Sequence, residues 1–153
     1  MNILFVCHGN ICRSPMGEYI FRDIADKEGL GWFYKVDSAA VSREEIGNPV
    51  YPPARRVLAR YDIPCGNHRA RQMTIDDYAS SDLLIGMDWN NLARMRRMTG
   101  GDPYGKCRLL LSFTGSKEEI DDPWYTGDFE TTYRDIRRGC QALLFHTRPD
   151  VEK

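Results

Sequence analysis

At 153 residues, 42% of them hydrophobic, the chain is long enough to enclose a core as a single domain over residues 1–153, and no apolar run approaches the roughly 20 residues that cross a bilayer. A formal net charge of −1 argues against broad nucleic-acid binding. The first apolar segment starts at residue 2 and leaves no room for a signal peptide, while five cysteines without metal-ligand spacing suit a reducing compartment, so a cytoplasmic protein without metal or membrane attachment is expected.

Ile3, Leu4, Phe5 and Val6 form an unbroken apolar run, as in a strand buried on both faces of a parallel sheet, and Cys7 falls at its carboxyl end. His8, Gly9, Asn10, Ile11 and Cys12 cannot easily extend that strand. Ser14-Pro15 reads as a helix N-cap followed by proline at the first helical position, and Met16, Tyr19, Ile20 and Ile24 carry the helical period to about Glu28. A second strand is predicted over Phe33 to Ser38, which brings Ser38 to the same sheet edge as Cys7. Ser38 there either hydrogen-bonds the loop or is an exposed turn serine.

Ala39 to Pro53 holds too many glycines and prolines for regular structure and reads as a long surface loop, after which Pro53 opens a helix carrying Val57, Leu58 and Tyr61. His68 to Arg71 is a basic patch before a short helix capped by Thr74 and Asp77. Ser81 to Met87 is a third strand. Asp88 caps a helix bearing Trp89, Leu92 and Met95, with Arg94, Arg96 and Arg97 near its C-terminal dipole end. Cys107 to Phe113 is a fourth strand, Ser116 to Asp128 a polar loop, and Phe129 to Leu144 an amphipathic closing helix. Strands alternating with helices predict a three-layer, doubly wound α/β fold on four parallel strands, whose ligands bind beyond the strands' carboxyl ends.

That edge is where Cys7 lies. A tight loop entering a helix aims backbone N–H groups inward and forms an oxyanion cradle, and its field together with Arg13 favours thiolate over thiol at Cys7. Arg13 can grip two oxygens of a phosphate through its planar fork. Cysteine and arginine six positions apart, taken alone, are better described as a core thiol and a solvated charge; set between an apolar strand and a capped helix, they describe a receptor with its nucleophile. Thiolate attack on phosphorus needs an acid for the leaving oxygen, and Asp122, stiffened by Pro123 on a loop after the fourth strand, is the candidate over Asp121. Trp124 and Tyr125 would flank the mouth and offer flat faces to a phenyl ring.

CHGNICRSPMGE, DSAAVS, HRARQMT, MDWNN and DDPWY before FETTY, in this order and spacing, resemble the low-molecular-weight protein tyrosine phosphatase family over essentially the whole chain. The resemblance implies Cys7 as nucleophile, Arg13 as phosphate-binding arginine and Asp122 as general acid. It implies that Asn10 holds an unusual backbone conformation through hydrogen bonds to Ser14, Ser38 and His68, that Ser14 stabilises the thiolate, and that Cys12 forms a reversible disulfide with Cys7. No cofactor is implied, and phosphotyrosine-containing proteins are the implied partners of a chain whose default state is a monomer, with at most weak self-association.

Departures fall around the site. His8 stands where the family is usually apolar, Glu44 where the loop is often aromatic, Ala40 where glycine is common, and Trp124 where tyrosine is usual. They bear on substrate preference rather than on the reaction. An arsenate reductase of this fold would need relay cysteines, and Cys65, Cys107 and Cys140 are scattered. An arginine phosphatase is associated with threonine where Ile11 stands, and a non-catalytic phosphotyrosine-binding module would have no use for Asp122.

Overall fold

In the computed structural model, which describes residues 1–150, strand β1 (Asn2–Cys7) lies inside a four-stranded sheet of order β2-β1-β3-β4. Its neighbours are β2 (Lys35–Ala40) and β3 (Leu83–Gly86), and β4 (Cys107–Leu109) closes the far edge; all pairs are parallel. Alternation along β1 sorts its side chains into two layers. Ile3 and Phe5 enter the core with Met16, Ile20 and Phe21 of α1 (Arg13–Lys27), Val57 and Leu58 of α2 (Pro52–Arg60), and Ile136, Cys140 and Leu143 of α6 (Phe129–Thr147). Leu4 and Val6 face the opposite core, with Tyr78 of α3 (Ile75–Ser80) and Leu92 and Met95 of α4 (Trp89–Met98).

α1 lies so close to β1 that a methyl added at Gly17 would stand 2.7 Å from Phe5 Cδ1. That contact fixes the strand and the helix on either side of the Cys7–Arg13 turn. From β1 the chain moves to β2 on one side, then crosses to β3 on the other, so the carboxyl end of β1 is the topological switch point.

Several boundaries differ from those read in the sequence. β2 begins at Lys35 rather than Phe33 and runs to Ala40. α1 is entered from Cys12 without a side-chain cap, so Ser14 is already helical and Pro15 is the third helical residue. The Ser14 hydroxyl is committed to the loop instead. β4 ends at Leu109, and Leu110–Thr114 turn into a 3-10 helix under α6, where Leu110 and Leu111 are both buried. The polar loop contains a one-turn helix, α5 (Pro123–Thr126), capped by Asp122. Among the described residues no helix is long and apolar enough to cross a membrane, and no cluster of three metal-ligating side chains occurs.

Candidate active site

The turn after β1 closes around the Cys7 sulfur. The Asn10 backbone N–H donates to Cys7 Sγ at 3.3 Å, and the Ser14 hydroxyl lies 3.1 Å from it. Asn10 takes a left-handed φ of 61°, a conformation that asparagine tolerates better than most residues. Its Nδ2 donates to Ser14 Oγ at 2.7 Å, its Oδ1 accepts from the Arg71 N–H at 3.1 Å, and its carbonyl accepts from His68 Nε2 at 2.8 Å. Because a carbonyl only accepts, His68 carries its proton on Nε2. Among the described residues the N–H groups of Gly9, Ile11 and Cys12 find no protein acceptor, and the first amides of α1 have none within the helix. These amides line the bowl beside the positive end of a fifteen-residue helix.

Arg13 is 2% exposed, and its NH1 is held by two protein acceptors. Its NH1 donates to Asp88 Oδ2 at 2.7 Å and to the Ile120 carbonyl at 2.9 Å, and its NH2 lies 3.5 Å from Asp122 Oδ2. Burial opposes the charge, but Cys7, Asp88 and Asp122 outweigh it and hold the guanidinium pKa above its ordinary value. Asp88 caps α4 through Oδ1, which accepts from the Asn91 N–H, and holds Arg13 through Oδ2. Asp122 is divided likewise: Oδ1 accepts from the Trp124 N–H at 3.0 Å, so Oδ2 is turned toward Arg13.

One cavity joins these groups. Its floor is the Cys7 to Arg13 turn, one wall carries Glu44 and Glu45, and the other carries Asp122, Trp124 and Tyr125. Asn10 and Ser14 lie beneath the floor, fully buried. The Tyr51 ring packs against Trp124 in a tilted arrangement, centroids 4.9 Å apart, and steadies that wall. The 41–51 loop is sewn to the floor by the Val41 N–H to Cys7 carbonyl, Ser42 N–H to His8 carbonyl, and Tyr51 N–H to Ile11 carbonyl bonds. Asp121 is exposed and does not line the cavity.

Ser38 does not reach Asn10. Its hydroxyl donates instead to Glu18 Oε1 at 2.7 Å, a buried carboxylate also paired with Arg22 at 2.8 Å. Burial pushes the Glu18 carboxyl up, against the Ser38 hydroxyl and Arg22. The third tether on Asn10 is the Arg71 backbone, while the Arg71 side chain is spent on Asp77 and Asp37. Arg94 serves more than its helix end: NH1 lies 3.4 Å from His8 Nδ1 and NH2 donates to the Val41 carbonyl. Cys7 and Cys12 are both free thiols, and burial followed by the neighbouring Cys7 pushes the Cys12 thiol up.

Sequence reasoning missed Ile120, whose side chain is buried, whose N–H bonds the Met87 carbonyl and whose own carbonyl holds Arg13. The signal available was the only aliphatic side chain of any size in an otherwise polar and aromatic loop.

A parallel, doubly wound sheet with cysteine and arginine around an amide-lined bowl at its switch point defines a class of thiol-based oxyanion sites. The model of the low molecular weight phosphotyrosine protein phosphatase family matches residues 2–153. The Bacillus subtilis protein named low molecular weight protein-tyrosine-phosphatase YfkJ is 40% identical over 146 residues, covering 94% of this chain and 94% of its own. The YfkJ crystal structure superposes with a TM-score of 0.92 at 39% identity, over 95% of this chain and 93% of that one. The human low molecular weight phosphotyrosine protein phosphatase is 38% identical over 150 residues, 94% of this chain and 93% of its own. A crystal structure described as DARP, a drosophila arginine phosphatase, matches at 30% identity with a TM-score of 0.89, over 99% of this chain and 100% of that one. The chain belongs to the low molecular weight phosphotyrosine protein phosphatase family.

Proposed function

We propose that this protein hydrolyses phosphotyrosine and small aryl phosphate monoesters through a phosphocysteine on Cys7, acting as one domain over residues 1–153 on phosphotyrosine-containing proteins. The carrying observation is the single cavity in which Cys7 Sγ lies on the floor while Arg13 NH2 faces Asp122 Oδ2 across 3.5 Å. The phosphoryl oxygens sit in the amide bowl and against Arg13, where charge-assisted hydrogen bonds are strongest. The Cys7 thiolate forms the S–P bond as the P–O(aryl) bond breaks, and Asp122 in its acid form gives its proton to the departing phenol oxygen. Water, deprotonated by the resulting Asp122 carboxylate, then attacks phosphorus, breaks the S–P bond, and releases phosphate and the Cys7 thiolate. Ser14 and the Asn10 N–H stabilise that anion at both ends of the cycle. A cytoplasmic setting and a reversible Cys7–Cys12 pairing under peroxide belong to the same reading.

A burst experiment with phenyl phosphate, followed by trapping of the phosphorylated residue, is expected to find phosphate on Cys7. Cys7→Ser should abolish turnover yet leave oxyanion binding measurable; unchanged turnover would refute the assignment. Asp122→Asn should slow phosphoenzyme formation about 10²–10⁴-fold for phenol, whose pKa is roughly 10, and far less for more acidic phenols. An equal loss for every leaving group would remove Asp122 as the acid. The likeness to an arginine phosphatase makes phosphoarginine the competing substrate, against which the branched apolar Ile11 on the cavity floor counts. Faster hydrolysis of a phosphoarginine peptide than of its phosphotyrosine counterpart would reverse that order.

A further inference from the structure

The acidic wall of the cavity is organised from behind. His8 Nε2 lies 2.9 Å from Glu44 Oε2, and on the opposite side of the ring Arg94 NH1 lies 3.4 Å from Nδ1. A guanidinium can only donate, so Nδ1 is the acceptor and the ring proton sits on Nε2, where it is donated to Glu44. Donation therefore runs from Arg94 through His8 to the Glu44 carboxylate. That side chain remains 68% exposed, so most of its acceptor capacity faces solvent at the rim. Glu45 lines the same wall, the facing Trp124 and Tyr125 carry no charge, and Arg13, the cation within the bowl, is already matched by Asp88 and faces the bound phosphoryl group.

The pairing is not needed to hold the 41–51 loop down, because three backbone hydrogen bonds already join that loop to the cavity floor. What the chain of donors adds is a fixed negative charge beside the path by which residues flanking a bound phosphotyrosine leave the pocket. We propose that Glu44, oriented by His8 and Arg94, selects phosphotyrosine substrates with lysine or arginine next to the phosphorylated residue and disfavours those with aspartate or glutamate. The proposal rests on the phosphatase reading above. His8 and Arg94 act as positioning residues within it and touch no reacting atom.

The test uses three phosphotyrosine peptides of one length, flanked on both sides by lysine, glutamine or glutamate, with phenyl phosphate as a substrate that has no flanks. Each kcat/KM is divided by the same variant's value for phenyl phosphate, which removes effects on the chemistry itself. The intact protein is expected to favour the lysine over the glutamate peptide about three- to tenfold at low salt, the scale of exposed charge pairs, with the preference shrinking as salt is raised well beyond physiological ionic strength. Glu44→Gln should lower the preference at least twofold, Glu44→Lys should invert it, and His8→Leu should move it toward the Glu44→Gln value. A normalised preference that Glu44→Gln leaves unchanged, or that ignores salt, overturns the proposal, and the near-isosteric glutamine keeps the test decisive if the lysine variant does not fold. Absence of phenyl phosphate turnover in the intact protein would overturn the phosphatase reading, whereas turnover without charge preference would overturn only this inference.

Discussion

Ser14 has one proton and two claimants for it. Its oxygen accepts from Asn10 Nδ2, leaving the hydroxyl hydrogen to point either at Cys7 Sγ, 3.1 Å away, or at the Ala39 carbonyl, 3.3 Å away. A sulfur anion draws that hydrogen; a thiol or phosphocysteine releases it to the carbonyl, so no buried donor is stranded at either stage. This arrangement works only while Asn10 is held, and Asn10 combines a left-handed backbone with side-chain bonds to Ser14 and Arg71. Two substitutions separate these contributions. Asn10→Gly keeps the backbone conformation and removes the side-chain bonds, while Asn10→Ala removes the bonds and also places a Cβ where the left-handed region costs about 1–2 kcal/mol. Both should lose about tenfold or more in kcat/KM, and urea unfolding should find the alanine variant about 1 kcal/mol less stable than the glycine variant. A glycine variant as efficient as the parent would show that backbone shape alone forms the bowl.

α1 and β1 hold the turn between them in place through the close approach at Gly17. A methyl there would meet Phe5 Cδ1 at 2.7 Å and Met87 Cε at 3.1 Å, and the Phe5 ring is fully buried. Gly17→Ala should therefore cost about 1–3 kcal/mol from overpacking, reduced by the roughly 1 kcal/mol that alanine gains in a helix, and lower the thermal midpoint. A raised midpoint would mean that strand and helix separate freely. The elements were legible in the sequence where local chemistry decides them: the apolar run Ile3 to Val6, the Thr74 and Asp77 capping box, and the Asp88 cap all occur where the pattern placed them. The run through Leu109 to Phe113 misled, because unbroken apolar residues suit a buried strand and a buried 3-10 turn equally. Partnerships across the sheet edge were not legible either. Arg13 meets Asp88 75 positions away and Ile120 107 positions away, and Arg94 meets His8 at a separation of 86, so no local pattern encodes them. Cys7, Arg13 and Asp122 could be picked out because each carries its own local sign: a strand end, a helix start and a following proline.

Across the whole molecule, the interior position of β1 lets three distant segments converge at one point: the turn after Cys7, the 41–51 loop and the chain around Asp122. Arg13 joins two of them, since the guanidinium facing the bowl also holds the Ile120 carbonyl two residues before Asp122. In the proposed reaction, anion binding and placement of the acid are thus linked through one side chain. The cysteines divide along the same architecture. Cys65, Cys107 and Cys140 are packed into the interior away from the cavity, and burial pushes their thiols up, that of Cys107 to about 12. Cys12 borders the bowl, but its thiol is pushed up too. Brief exposure of the native protein to iodoacetate, itself a carboxylate, is expected to add one carboxymethyl group per chain, and alkylation after unfolding to add five, as intact mass would read. Two or more additions before unfolding would contradict this partition. After native labelling, the abundance of chains carrying one carboxymethyl group relative to those carrying more would report what fraction of any preparation is correctly assembled, with no enzymatic assay required.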